Sequence, residues 1–125
     1  MKEILKFKNL LFFSIVILLS SCGKTIDVDD EREYITESNN IMNYKGIPFT
    51  GKLVEYHDRE KTKLLKKETY QDGKLGLFED YYVNGQLSVK GTYKDGQRDG
   101  LWESYSENGK LEEKTTYKDG VKQDN

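Results

Sequence analysis

The sequence predicts an all-β protein, an elongated antiparallel meander of repeated β-hairpins. Three observations support this prediction. A pattern of about 24 residues occurs three times, Asn-Gly and Asp-Gly pairs punctuate it, and the runs between the pairs are rich in Tyr, Thr, Val and Leu. Asn and Gly accept the positive φ of tight hairpin turns, and aromatic and β-branched residues suit a pleated strand.

The first 21 residues have the pattern of a secretion signal. Lys2, Lys6 and Lys8 precede an apolar run over residues 10–19. Ten helical residues at about 1.5 Å each span about 15 Å, which is half of a bilayer core. The run is therefore too short for a transmembrane helix and fits the apolar region of a signal peptide.

The single cysteine follows this run directly, in Leu19-Ser20-Ser21-Cys22-Gly23. One cysteine forms no internal disulfide. The segment resembles the bacterial lipobox, which implies that residues 1–21 are a lipoprotein signal peptide and that lipidated Cys22 anchors the protein in a membrane. By the same resemblance, Gly23 instead of Asp favours the outer membrane and leaves the periplasmic or surface face open. The alternative is a plain signal peptide with an accidental cysteine.

Residues 22–40 are predicted to form an acidic tether. From Gly23 to Asn40 the chain has six acidic and two basic residues. Low apolar content and clustered like charges favour a solvated, extended or loosely helical spacer. The acidic cluster over residues 27–31 lacks the Gly and the distant Glu of an EF-hand loop, so a calcium site is not expected. A further interpretation of this segment is an export tag for surface display.

Residues 41–125 form the predicted repeat domain. Each unit has a first strand that begins with Gly and ends with Tyr, then a second strand that ends with Tyr before an Asp-Gly turn. The first strands cover residues 51–56, 76–81 and 100–105, and the second strands cover residues 64–70, 87–93 and 111–117. Units of this length stack on their neighbours. Stacking predicts one column of Leu53, Phe78 and Trp102 and another of Tyr56, Tyr81 and Tyr105.

The pattern G-x-W/F-x-x-Y, N-G-x-L and Y-x-D-G resembles the bacterial MORN-repeat variant of the YwqK-type antitoxin family, over residues 44–121. The resemblance implies a hairpin repeat fold and an antitoxin-like role. The first repeat departs from the pattern, because it has Leu53 in place of an aromatic residue and a longer turn over residues 57–61. An exported antitoxin would have to act outside the cytoplasm, as an immunity protein against an incoming toxin.

Charge and composition exclude several classes of function. The 22 acidic residues outnumber the 20 basic ones, which argues against nucleic acid as a partner. One Cys and one His rule out a Cys- or His-rich metal site, and no cofactor is expected. His57 lies near Asp58 and Glu60 without an accompanying nucleophile, so a charged hairpin turn explains it. We predict that the protein is not an enzyme.

The predicted function is a non-catalytic, lipid-anchored repeat protein of the bacterial cell envelope that serves as a protein-binding or structural module. The alternatives are an antitoxin or immunity protein that neutralises a toxin, and a module that binds glycans or lipids. The candidate binding surface is Phe78, Tyr81, Trp102 and Tyr105. These rings are either core or interface, and core is favoured for Trp102. A single meander is also expected to lack a second layer.

Overall fold

The computed structural model describes residues 23–124, so the predicted signal peptide and lipidated Cys22 lie outside the described residues. The predicted all-β hairpin meander is confirmed. Residues 23–124 form a four-residue α-helix, α1 (Val28–Glu31), a 3-10 helix (Arg32–Tyr34) and the strands β1 (Lys24–Asp27), β2 (Ile35–Ser38), β3 (Ile41–Tyr44), β4 (Ile47–Pro48), β5 (Gly51–Tyr56), β6 (Leu64–Gln71), β7 (Lys74–Tyr81), β8 (Leu87–Lys94), β9 (Gln97–Arg98), β10 (Gly100–Tyr105), β11 (Leu111–Lys118) and β12 (Val121–Lys122).

The strands form a large main sheet and a small second sheet. The main sheet has the order β1-β5-β6-β7-β8-β10-β11-β12, and β9 pairs with β8. Neighbouring strands of this sheet are antiparallel, except that β1 runs parallel to β5. The second sheet has the order β2-β3-β4. The repeats therefore follow one another across the main sheet as successive hairpins.

The turns have the geometry that their sequence predicts. In the three Asp-Gly pairs both residues have positive φ, as in Asp95 (49°) and Gly96 (78°). Two successive positive φ values define the type I′ turn, whose twist matches that of paired strands. At the other end of the hairpins, Gly109 has a φ of 81°, and the side chain of Asn108 accepts a hydrogen bond from the backbone N–H of Lys110 at 3.1 Å.

Residues 24–38 do not form the predicted tether. Lys24 to Asp27 pair with β5, and Ile26 is only 1% exposed. Ile26 and Val28 enter the core although their neighbours are acidic. Lys61 offsets part of this acidity, since its Nζ lies 2.7 Å from Asp27 and also pairs with Asp30. The predicted domain boundary at residue 41 therefore cuts through a folded region.

A second layer covers part of the main sheet, which the sequence did not predict. The core joins residues of the N-terminal segment, the second sheet and the first repeat: Ile26, Val28, Met42, Phe49, Leu53 and Tyr70. Backbone hydrogen bonds tie the layers together, because Met42 donates to the carbonyl of Gly73 at 2.7 Å and Gly73 donates to that of Phe49 at 2.8 Å. The prediction that no second layer exists was wrong.

Candidate binding surfaces

The main sheet has two faces of different character, because successive side chains of a strand alternate between faces. We call one the covered face; a row across it consists of Leu53, Glu68, Phe78, Gly91, Trp102 and Thr115. We call the other the open face; a row across it consists of Lys67, Glu79, Lys90, Glu103 and Lys114.

The four residues of the predicted binding surface are divided between these faces. Phe78 and Trp102 stack on the covered face, with ring centroids 5.8 Å apart and an interplanar angle of 27°. Tyr81 and Tyr105 lie on the open face, where their hydroxyl groups donate to Glu79 and Glu103. The structure therefore does not bring the four rings together into one surface.

Trp102 is a core residue of the covered face and is 5% exposed. The edges of Tyr93 and Tyr117 meet its ring at centroid distances of 5.3 and 6.3 Å. The guanidinium carbon of Arg98 lies 4.1 Å from its ring centroid, which is a cation–π contact. Its indole N–H donates to the carbonyl of Thr92 at 3.1 Å. All parts of the ring are thus engaged within the protein.

Gly91 makes room for this tryptophan. A Cβ atom built at position 91 would overlap the indole ring of Trp102 itself. Only glycine allows the ring to lie so close to the backbone of the neighbouring strand. The covered face of the last two repeats is therefore filled by a large ring placed against a position without a side chain.

A groove beside Trp102 is too small for a typical ligand. It has a volume of about 180 Å³ and is lined by residues that include Val89, Arg98, Ser104 and Glu113. Sites for drug-sized molecules usually enclose about 300–1,000 Å³. Within residues 23–124 no group of three or more His, Cys, Asp or Glu side chains is arranged to hold a metal ion. The groove beside Trp102 is therefore neither large enough for a typical ligand nor part of a metal-binding cluster among the described residues.

The open face carries a row of alternating charges. Lys67 pairs with Glu79 at 2.6 Å, and Glu103 lies between Lys90 at 2.8 Å and Lys114 at 3.0 Å. Opposite charges directly across neighbouring strands stabilise their pairing. Glu103 is nearly buried, whereas Lys114 is exposed. The ammonium groups therefore lie nearer the solvent than the carboxylate that they share.

Two members of this charge row, Lys67 and Glu103, are held in their ionised forms. Hydrogen bonds from Lys90, Lys114 and the Tyr105 hydroxyl lower the pKa of Glu103 to about 2. A hydrogen bond to Glu79 raises the pKa of Lys67, against the opposing effect of its partial burial. Donors around a carboxylate favour its charged form. Lys67 and Glu103 therefore keep their charges through the physiological pH range.

Exposed leucines lie beside the charge row. Leu77 is 38% exposed and Leu101 is 47% exposed, on the same face as Tyr81 and Tyr105. Sequence reasoning missed both leucines. The signal was present, because both leucines follow the first glycine of a repeat.

The hairpins of the second and third repeats are the part of the chain that a known family describes. Residues 74–95, with β7 and β8, and residues 98–119, with β10 and β11, match the MORN repeat variant. These two adjacent segments are therefore similar to the MORN repeat variant. This match supports a repeat module for binding or structure, as predicted. The first repeat and the N-terminal segment lie outside the matched residues.

Comparison with curated proteins and with solved structures gives no match. No helix of the described residues is long and apolar enough to cross a membrane.

Proposed function

We propose that this protein is a non-catalytic, lipid-anchored module of the bacterial cell envelope that binds a protein partner through its open face. The observation that carries the proposal is the exposure of Leu77 and Leu101 beside Tyr81, Tyr105 and the charge row. Apolar and aromatic residues within a charged surround are typical of protein interfaces.

The shape of the molecule supports a macromolecular partner. The open face is a pleated surface without a deep cleft, and its fixed charges provide specific positions for a charged partner. Fixed charges select a partner of complementary pattern more than they add affinity. Glycan binding has less support, because the large ring suited to stacking, Trp102, is buried in the covered face.

The proposed anchor is a diacylglyceryl group on Cys22, with the outer membrane as the proposed location. The support is the lipobox-like sequence Leu19-Ser20-Ser21-Cys22 after a short apolar run. An antitoxin-type version of this function is the alternative, and its support is the sequence resemblance to the antitoxin family together with the proposed export signal. In that version the partner is a toxin that reaches the envelope from outside the cell.

The binding proposal is tested with the double variant Leu77→Lys and Leu101→Lys. Crosslinking in intact cells and affinity capture should recover one abundant partner with the parent protein and lose it with the double variant. Val83→Lys is the matched control, because Val83 is exposed but lies in the Asn-Gly turn region. Both variants should keep the parent circular dichroism spectrum. A folded double variant that still captures the partner would exclude the open face.

A further inference from the structure

The strand β11 differs from its equivalents in the other repeats. Each of the three hairpins ends with an eight-residue second strand, β6, β8 or β11. β6 and β8 lie between two longer strands, whereas β11 has β10 on one side and, within residues 23–124, only the two-residue β12 on the other. Residues 111–114 are exposed, although residues 64–67 and 87–90, at the same repeat positions, are half-buried. The outer edge of β11 is therefore open over residues 111–115.

The backbone of this edge is oriented to accept another strand. Gln123 donates its N–H to the carbonyl of Thr116 at 2.8 Å, so the backbone groups of Thr116 point away from β10. These groups alternate in direction along a strand, and the register with β10 is unbroken from Lys114 to Thr116. The N–H and C=O of Lys114 therefore point outward as well. Outward backbone groups of an edge strand are a template for pairing with another chain.

The preceding repeat shows which kind of strand fits this position. There Asp99 donates its N–H to the carbonyl of Thr92 at 3.0 Å, which is the same bond one repeat earlier. The chain then continues as β10 and places Glu103 opposite Lys90. Lys114 is the residue of β11 that corresponds to Lys90. A strand added to β11 in the same way is antiparallel to it and places one of its residues opposite Lys114.

Two side-chain contacts hold the lysine of a second strand to the strand that follows. Lys67 pairs with Glu79 at 2.6 Å, and its ammonium nitrogen lies 6.0 Å from the ring centroid of Tyr81. The same contacts join Lys90 to the Glu and Tyr of β10, at 2.8 and 5.9 Å. Lysine on an open edge usually discourages pairing. In β6 and β8, however, this lysine pairs with a Glu-x-Tyr strand, so Lys114 selects for the same pattern.

The covered side of the edge limits the size of the incoming aromatic side chain. Thr115 has the repeat position that is Gly91 in β8 and Glu68 in β6. Gly91 contacts Trp102, whereas Glu68 lies opposite Phe78. A Cβ atom at position 91 would overlap the indole ring. Because Thr115 has a Cβ atom, as Glu68 does, we expect it to accept a phenyl ring and to exclude an indole.

We infer that the outer edge of β11 binds an extended segment of a partner protein that adds an antiparallel strand with the pattern Phe-Glu-x-Tyr. Its glutamate pairs with Lys114, and its phenylalanine lies opposite Thr115. In strand addition, main-chain hydrogen bonds give affinity and alternate side chains give specificity. A second copy of β11 fits less well, because two such strands paired about Glu113 or Lys114 would place that charge opposite its own copy. This edge is separate from Leu77 and Leu101 and does not depend on binding there.

The test uses a fluorescein-labelled peptide with the sequence of residues 75–82 and the full-length protein in detergent micelles. Fluorescence anisotropy should show saturable binding, and hydrogen exchange should become slower in residues 111–116 and stay unchanged in β1. The same peptide with Glu79→Lys should bind about tenfold more weakly, because an attractive cross-strand pair becomes a repulsive one. A peptide N-methylated at residue 79 keeps every side chain but loses the N–H that faces Lys114, and it should not bind.

A change in aromatic size tests the register. The peptide with Phe78→Trp should bind the parent protein about tenfold more weakly than the unmodified peptide, because the indole overpacks the contact with Thr115. The protein variant Thr115→Gly should restore its binding. Circular dichroism checks the fold of this variant, and if it is unfolded, the comparison of the two peptides on the parent protein still decides.

Several outcomes would overturn the inference. Unchanged exchange of residues 111–116 with the unmodified peptide would mean that the charges of β11 close this edge, and binding that survives N-methylation would exclude strand addition. A full-length protein that sediments as a dimer and already protects residues 111–116 would show a second copy at the edge. The double variant Leu77→Lys and Leu101→Lys should bind the peptide as the parent does, which separates this edge from the open-face proposal.

Discussion

The N-terminal and C-terminal parts of the main sheet bury their covered face in different ways. Around β5 to β7, aliphatic residues of a second layer pack on the sheet, and Ile26 is nearly inaccessible to solvent. Around β7 to β11, the sheet covers itself with the rings of Phe78, Tyr93, Trp102 and Tyr117. The N-terminal part is covered by a second layer of structure, whereas the C-terminal part is covered by its own large aromatic side chains.

The difference shows how a chain with few aliphatic residues can bury one face of a single sheet. A large ring buries as much apolar area as two smaller side chains, provided that the opposite strand makes space for it. Gly91 provides that space, and Arg98 shields the ring from above. Phe49 belongs to the layered part, since it packs against Tyr70 at a centroid distance of 6.1 Å.

The largest effect is expected from Trp102→Ala in the self-covered part. The variant should lose about 3–5 kcal/mol of unfolding free energy, because no neighbouring side chain can fill the space over Gly91. Urea denaturation measures this loss. Val121→Ala, at an exposed position, is the control and should change the free energy by less than about 0.5 kcal/mol. Unchanged melting of Trp102→Ala would mean that the ring is not part of the core.

A smaller effect is expected from Ile26→Ala in the layered part. The variant should lose about 2–4 kcal/mol, because it removes buried methyl groups but leaves the aromatic cluster intact. Hydrogen exchange should become faster in β1 and β5 and change little in β10 and β11. Ile47→Ala is the control at an exposed position. If Ile26→Ala has the stability and exchange of the parent, the N-terminal segment is a tether after all.

The smallest effect is expected in the pH dependence of stability, through the ion pairs of the charge row. The pKa of Glu103 is about 2 in the folded protein and lies near 4.3 in an unfolded chain. Its ion pairs therefore stabilise the fold above pH 4.3, and this contribution disappears as the pH falls toward 2. The melting temperature of Glu103→Gln should fall less between pH 5 and pH 2 than that of the parent. The control Glu107→Gln, in an exposed turn, should show the same change of melting temperature with pH as the parent. If the melting temperatures of all three proteins fall equally between pH 5 and pH 2, the ion pairs of Glu103 do not contribute to stability.

Local chemistry explains what could be predicted from the sequence. The Asn-Gly and Asp-Gly turns need positive φ, and residues of a strand alternate regardless of the rest of the chain. These rules are sufficient to predict the hairpins and their order in the sheet. They also imply that Phe78 and Tyr81, three residues apart, lie on opposite faces, a consequence that the predicted binding surface overlooked.

The fold of the N-terminal segment depends on non-local contacts. Residues 23–40 are acidic on average, so their composition gives no sign that Ile26 and Val28 belong to the core. These two residues become buried only when β1 pairs with β5. Lys61, in the unusually long turn of the first repeat, reaches back to Asp27 and Asp30. A longer turn in one repeat was visible in the sequence, but its partner more than 30 residues earlier was not.

The pairing of Trp102 with Gly91 also limits how the repeats can be rearranged. In the second repeat, Phe78 lies between Glu68 and Gly91, and Trp102 follows Gly91 in the next hairpin. Removing the second repeat as a unit would set the indole of Trp102 against the side chain of Glu68. The repeats are therefore an ordered series and not interchangeable copies, and a viable duplication would have to carry the glycine of one unit together with the tryptophan of the next.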